Sequence, residues 1–101
     1  MSVKAGEVHG EVLGGCYGII NWGWLDINWL WCRESIRGQG YGTQLIKAME
    51  SHALSKGINH IKLETADFQA LGFYQKLGYS IYGELENYPI GHTAYCLKKV
   101  L

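Results

Sequence analysis

Three glycines at alternate positions, Gly38, Gly40 and Gly42, stand in the stretch SIRGQGYGTQL (residues 35–45), directly ahead of a helical pattern. Glycine loses the most conformational freedom on ordering, so such a cluster implies a backbone that must bend or be closely approached. A glycine-rich turn feeding a helix leaves backbone N–H groups pointing outward beside the positive end of the helix dipole. That suits an anion, and a phosphate best of all. Arg37 adds a permanent positive charge at the rim. A Walker loop would need Gly-Lys-Ser/Thr, which is absent here. A dinucleotide fingerprint, GxGxxG, belongs after the first strand of a parallel unit; here the third glycine arrives one residue early and the upstream strands read as antiparallel. Two alternatives remain: a phosphate loop of another kind, or a glycine-rich turn with no ligand.

The elements that must carry this loop follow from periodicity. SVKAGEV (residues 2–8) alternates and stops at the turn signal His9-Gly10. EVLGGCYGII (11–20) reads as a second strand weakened by Gly14, Gly15 and Gly18, turned by Asn21-Trp22-Gly23. WLDINWLWC (24–32) is a third strand, with Trp24, Asp26, Asn28, Leu30 and Cys32 on one face and Leu25, Ile27, Trp29 and Trp31 on the other. After the glycines, residues 41–57 repeat Leu45, Ile46, Met49 and Ala53 at helical spacing and stop at Gly57. NHIKLET (59–65) is a strand. DFQALGFYQKLG (67–78) is a second helix with Phe68, Leu71, Tyr74 and Leu77 on one stripe, Asp67 as its N-cap and Gly78 as its close. Residues 79–86 and 93–101 are two closing strands joined by a loop with the only proline, Pro89. The expected order is β-β-β-α-β-α-β-β, a mixed α+β fold with a mostly antiparallel sheet.

With 101 residues the chain is expected to form a single domain, residues 1–101. Hydrophobic residues make up 48% and aromatics 13%, enough to build a packed core and to argue against disorder. Nine basic residues balance nine acidic ones, so no basic field argues for a nucleic-acid partner. Cys16, Cys32 and Cys96 are odd in number and form no CxxC pair, so reduced thiols are expected rather than a disulfide framework or a metal site. No apolar stretch reaches the length of a membrane span, and residues 1–8 carry no signal-peptide core. No membrane partner is expected, and a cytoplasmic location is.

The glycine stretch resembles the pyrophosphate loop of the GNAT superfamily of N-acetyltransferases, Arg/Gln-x-x-Gly-x-Gly/Ala between a strand and a long helix. Arg37-Gly38-Gln39-Gly40-Tyr41-Gly42 meets it at every fixed position. A second stretch, FQALGFYQKLGYSIYGELENYP (68–89), is similar to the family's late helix and following strand. Two motifs in the right order, separated by a helix and a strand, are far more specific than either alone. The resemblance runs from about Val3 to the C-terminus.

The resemblance implies an acetyl-coenzyme A-dependent N-acetyltransferase with direct transfer to a primary amine in a ternary complex. It implies that the pantetheine arm lies as an extra strand between two splayed strands, held by the main chain of Leu30, Trp31 and Cys32, whose backbone also polarises the acetyl carbonyl. Arg37, Gly38, Gln39, Gly40, Tyr41, Gly42 and Thr43 would hold the pyrophosphate. Tyr74 matches the family's late-helix tyrosine, which protonates the leaving thiolate; otherwise it is a core tyrosine. Asp26, eleven residues before Arg37, stands where several members keep a carboxylate as general base; otherwise it is an edge aspartate. His92 is the rival base. Where many relatives place an asparagine seven residues before the tyrosine, this chain has Asp67.

The family usually begins with a strand and one or two helices before the meander, and this sequence begins almost at the meander. The expectation is an open acceptor pocket or one closed by a second copy, and hence a homodimer. The alternative to an enzyme is a coenzyme A-binding module without turnover, used for sensing or assembly.

Overall fold

The computed structural model describes residues 2–4, 7–8, 11–12, 14–32 and 40–101. The element order is β1 (Ser2–Lys4), β2 (Glu7–Val8), β3 (Glu11–Val12), β4 (Gly14–Asn21), β5 (Trp24–Cys32), α1 (Tyr41–Ser55), β6 (His60–Ala66), α2 (Leu71–Lys76), β7 (Ser80–Glu86) and β8 (Thr93–Val100). Six strands form one sheet in the order β1-β4-β5-β6-β8-β7, antiparallel except for the β5–β6 pair. The expected mixed fold is the observed one.

The first two expected strands each divide. β2 and β3 pair with each other, Glu7 opposite Val12 and Val8 opposite Glu11, while β1 joins the main sheet beside β4. Alternation alone could not show the division, because β2 and β3 have two residues each, too few to carry a period. The hairpin between β4 and β5 turns at Trp22-Gly23, both with positive φ, as a two-residue hairpin demands. Gly18 in β4 is not a weak point but a fitted one. A Cβ there would lie 2.9 Å from the Asp26 carbonyl oxygen and 2.9 Å from Met49 Cε, so the bare backbone lets α1 approach the sheet.

Both helices pack on one face. Cys16, Leu25, Ile27, Ile61, Leu63 and Leu97 of the sheet meet Leu45, Ile46, Met49 and Ala53 of α1, with Tyr74 and Tyr79 completing the core. The expected α1 stripe is therefore the buried one. Its end is closed by Ile58 N–H to the Ala53 carbonyl and Gly57 N–H to the Leu54 carbonyl. The same pair of bonds closes α2, from Tyr79 N–H to Tyr74 and from Gly78 N–H to Gln75. A network on this face ties the two helices to β8: Tyr79 donates to Glu50 at 2.8 Å, and Lys99 donates to Glu50 at 3.0 Å and to the Leu77 carbonyl at 2.7 Å.

α2 is shorter than its periodicity suggests, and Asp67 does not cap it. Residues 67–70 are turns, and Ala70 holds the cap position without a side-chain bond. The Asp67 carboxylate is taken instead by β8, accepting from Thr93 N–H at 2.9 Å and meeting His92 Nδ1 at 2.9 Å. Phe68 is accordingly exposed rather than part of the core stripe.

Candidate active site

The site begins with one unpaired residue. Across the β4–β5 ladder Tyr17 faces Trp29 and Gly18 faces Ile27, so Asn28 has no partner on β4 and forms a β-bulge. The bulge reverses the strand's alternation. Leu25 and Ile27 point into the core, and beyond the bulge Leu30 packs against it while Trp29 and Trp31 turn to the other face, 47% and 41% exposed. The strict two-faced reading of residues 24–32 is corrected by this single inserted residue, and Asn28 is not a regular neighbour of Asp26.

The same point opens the sheet. β5 and β6 pair in parallel only from Trp24 opposite His60 to Ile27 opposite Leu63. β5 then runs on to Cys32 and β6 to Ala66, with no further pairing between them. A wedge-shaped gap separates the two strands, lined on one bank by backbone groups of Asn28–Cys32, the segment containing Leu30, Trp31 and Cys32. Polar backbone groups on such an edge need partners, and an extended ligand with amides can supply them.

Helix α1 is the next described element after β5. Gly40 holds its N-cap position at φ +82°, a left-handed conformation that a side chain resists, and no side chain caps the first turn. No acidic residue occupies that turn, so nothing there opposes an anion. Tyr41 and Thr43 are half-buried. Gly42 also has a packing role. A Cβ there would lie 3.2 Å from Phe73 Cζ, so its smallness lets the α2 ring pack on α1. Arg37, Gly38 and Gln39 lie outside the described residues.

The two candidate catalytic side chains lie on opposite faces of the sheet. Tyr74, 8% exposed, sits on the helix face, edge-on to Phe73 and Tyr79 at 5.1 and 6.0 Å. Burial, and secondarily the nearby Cys16, pushes its phenol up to about 12. Cys16 pairs with Leu30, so Tyr74 underlies the splayed half of β5. Burial likewise pushes the Cys16 thiol up to about 11. No hydrogen bond engages the Tyr74 hydroxyl among the described residues. Asp26 lies on the open face just before the bulge, paired with Ile19 across the ladder and with Lys62 Nζ at 3.6 Å. It lines a cavity of about 590 Å³ with Ile19, Trp22, Trp24, Lys62 and Tyr82.

His92 does not line that cavity. Its ring is held by Asp67 and stands edge-on to Phe68 at 4.6 Å, tying the β7–β8 connection to the end of β6. The hydrogen bond from Thr93 N–H, with lesser help from His92, holds the Asp67 carboxyl below the usual carboxylate range. Glu64 escaped the sequence reading. It stands one residue beyond the last β5–β6 pair, exposed on the open face, where it accepts a weak bond from the Cys96 thiol at 3.8 Å. The signal was available: Ile61, Leu63 and Thr65 are the buried alternates of β6, which turns Lys62 and Glu64 outward together.

The mostly antiparallel sheet thus stops pairing at a bulge and carries a phenol on one face and a carboxylate on the other. The family model described as acetyltransferase (GNAT) family matches residues 2–79, and the chain belongs to that family. It is 41% identical over 93 residues to the blasticidin-S acetyltransferase of Streptomyces morookaense, a match covering 91% of this chain and 68% of that one. It is 39% identical to the crystal structure of an acetyltransferase from Bacillus cereus, with a TM-score of 0.94 over 100% of this chain and 72% of that one. The fold alone is shared, at 24% identity and a TM-score of 0.85, with an aminoglycoside 6′-N-acetyltransferase complexed with coenzyme A, over 98% of this chain and 71% of that one. The chain thus spans about two thirds to three quarters of these relatives. As a member of the family it is an acetyltransferase whose acyl donor is acetyl-coenzyme A.

Proposed function

We propose that this chain transfers the acetyl group to a primary amine of a small molecule by direct attack in a ternary complex. The observation that carries this is the gap between β5 and β6, open from the Asn28 bulge and flanked by Tyr74 on one face and Asp26 on the other. The free edge of Asn28–Cys32 suits the amides of a pantetheine arm, and the main chain of Leu30, Trp31 and Cys32 is the segment placed to bond them. Arg37, Gly38, Gln39, Gly40, Tyr41, Gly42 and Thr43 then meet the pyrophosphate at the start of α1.

Acetyl-coenzyme A supplies an activated thioester. The chain's residues position it and handle the protons. Asp26 takes the proton that the amine must lose to attack, since a primary amine is mostly protonated at neutral pH. Tyr74 donates its hydroxyl hydrogen bond to the sulfur as the carbon–sulfur bond breaks. A phenol near 12 faces a thiolate whose own value is near 8.5. Complete proton transfer from the phenol would run uphill, so the donated bond is its contribution, and the departing sulfur takes up the second proton that the attacking nitrogen sheds as the amide forms. The relatives' names support a small-molecule amine as acceptor. Thiol release from acetyl-coenzyme A with a panel of primary amines tests the proposal. Coenzyme A binding with no release across the panel would leave only the binding-module alternative.

We also propose a cytoplasmic homodimer. The described residues include no helix long and apolar enough to cross a membrane, and Cys16 and Cys96 are free thiols. On the open face and its hairpin Trp22 is 95%, Trp29 47% and Tyr82 53% exposed, surface that a second copy would cover at about 25 cal/mol per Å². Sedimentation at micromolar concentration should give twice 11.4 kDa. A clean monomer would refute the pairing.

A further inference from the structure

A second, smaller groove lies at the far bank of the gap. It holds about 200 Å³, and its floor is the free end of β6, Glu64 to Ala66, together with Ala94 of β8. One wall is Phe68, from the turn after β6; the other is Tyr88 and Pro89, from the β7–β8 connection. Phe68 and Tyr88 are 58% and 57% exposed, so two aromatic side chains stand free at its rim.

The charge inside it is not balanced. Among the described residues Asp26 pairs with Lys62, Glu50 with Lys99, and Asp67 with His92. Glu64, the carboxylate on the groove floor, has no ion pair among the described residues. Its contact is the weak Cys96 thiol donor at 3.8 Å. An anionic floor between aromatic walls is complementary to an organic cation, which gains a charge-assisted bond from the carboxylate and attraction from the ring faces.

The Asp67–His92 pair explains why the groove keeps its shape. Asp67 immediately precedes the Phe68 wall, and its carboxylate is fastened to the chain that carries the opposite wall, at His92 Nδ1 and Thr93 N–H, both 2.9 Å. The Asp67 N–H returns a bond to the Thr93 carbonyl at 2.8 Å. Within the connection, Tyr88 N–H donates to the His92 carbonyl and His92 N–H to the Pro89 carbonyl, at 3.1 and 2.9 Å. The imidazole that the sequence offers as a possible base is thus a positioning group for the two walls.

We propose that this groove is a second acceptor subsite, in which Glu64, Phe68 and Tyr88 hold a cationic group of the acceptor other than the amine that is acetylated. The acceptor class is then a small molecule with a primary amine and a second ammonium or guanidinium a few bonds away. The proposal rests on the acetyltransferase function above, and its test is one of binding, so the two fail separately. Agmatine, a primary amine with a guanidinium four carbons away, and n-butylamine, the same chain without it, would be titrated calorimetrically into the protein with coenzyme A. Agmatine should bind roughly tenfold or more tightly than n-butylamine, as a charge-assisted bond implies. Glu64→Gln should remove most of that ratio, and Tyr88→Leu part of it. Equal affinities in the wild type, or a ratio that survives Glu64→Gln, would overturn the subsite. So would a Glu64→Gln variant that weakens both amines equally, since Glu64 would then serve the reacting amine. Thiol release with neither amine, beside an intact binding preference, would strike the transfer chemistry and leave the subsite standing.

Discussion

Tyr74→Phe removes one hydroxyl from the helix face of the gap and leaves the ring that packs on Phe73 and Tyr79. With no hydrogen bond to that hydroxyl among the described residues, the change should alter stability by less than about 1 kcal/mol near neutral pH. The alkaline range should separate the two proteins. The folded-state phenol lies near 12 against an ordinary value of 10.0. A raised value means that the folded state holds the proton more tightly, so the associated stability is complete below pH 10 and is lost as pH rises towards 12. Two units correspond to about 2.7 kcal/mol in full. Between about pH 9 and about pH 11 the unfolded chain ionises while the folded one does not, a loss of about 1.3 kcal/mol. For a domain of this size that is about 5–10 °C in Tm. Tyr79, pushed up chiefly by burial and then by Glu50, titrates in both proteins and receives a lesser push from Tyr74, so the difference reads Tyr74 together with its coupling to Tyr79. Paired thermal melts at the two pH values measure it. Parallel alkaline losses in wild type and variant would refute the burial argument. In the assay, losing one preorganised donor to the departing sulfur should slow transfer about 10²–10³-fold with coenzyme A affinity unchanged. Full turnover would make Tyr74 a packing residue only.

Gly18→Ala would drive a Cβ to 2.9 Å from the Asp26 carbonyl oxygen, a backbone atom that cannot swing aside. The expected loss is about 1–3 kcal/mol by denaturant titration, and an unchanged midpoint would contradict the close fit of Gly18 against the β5 backbone. Asp26→Asn should depress transfer near neutral pH and recover as rising pH deprotonates the amine unaided. A pH–rate profile identical to wild type would move the base role elsewhere. Asp67 titrates in the opposite sense to Tyr74. Its folded-state value is lowered, chiefly by Thr93 N–H, so the tie it makes is present above pH 3.8 and is lost as pH falls through the lowered value. The Thr93 amide resonance should titrate with a midpoint below 3.8, and Asp67→Asn should abolish that titration.

Most of the framework was legible because it depends on local period and punctuation. The α1 stripe, the glycines that close both helices and the turn at Trp22-Gly23 each rest on residues within a few positions of one another. The site depends on relations across the sheet, which local period does not contain. WLDINWLWC alternates whether or not a residue is skipped on the neighbouring strand. Only the β4 register shows that Asn28 is skipped, that Leu30 rather than Trp29 turns inward, and that the gap starts there. Asp67 shows the same limit from the other side. Its position before a helical stripe is a sound N-cap signal, yet a carboxylate can satisfy one set of donors at a time, and Thr93 and His92 arrive from twenty-five or more residues away to take it. That competition shortens α2, frees Phe68 from the core and sets it opposite Tyr88. The two Asp67 bonds act with local ones, Ala66 N–H to Gln69 Oε1 at 2.8 Å and Gln69 N–H to the Ala66 carbonyl at 3.0 Å, to hold residues 67–70 as the turns that wall the groove. Asp67→Ala should accordingly be judged by the position of that wall as well as by stability.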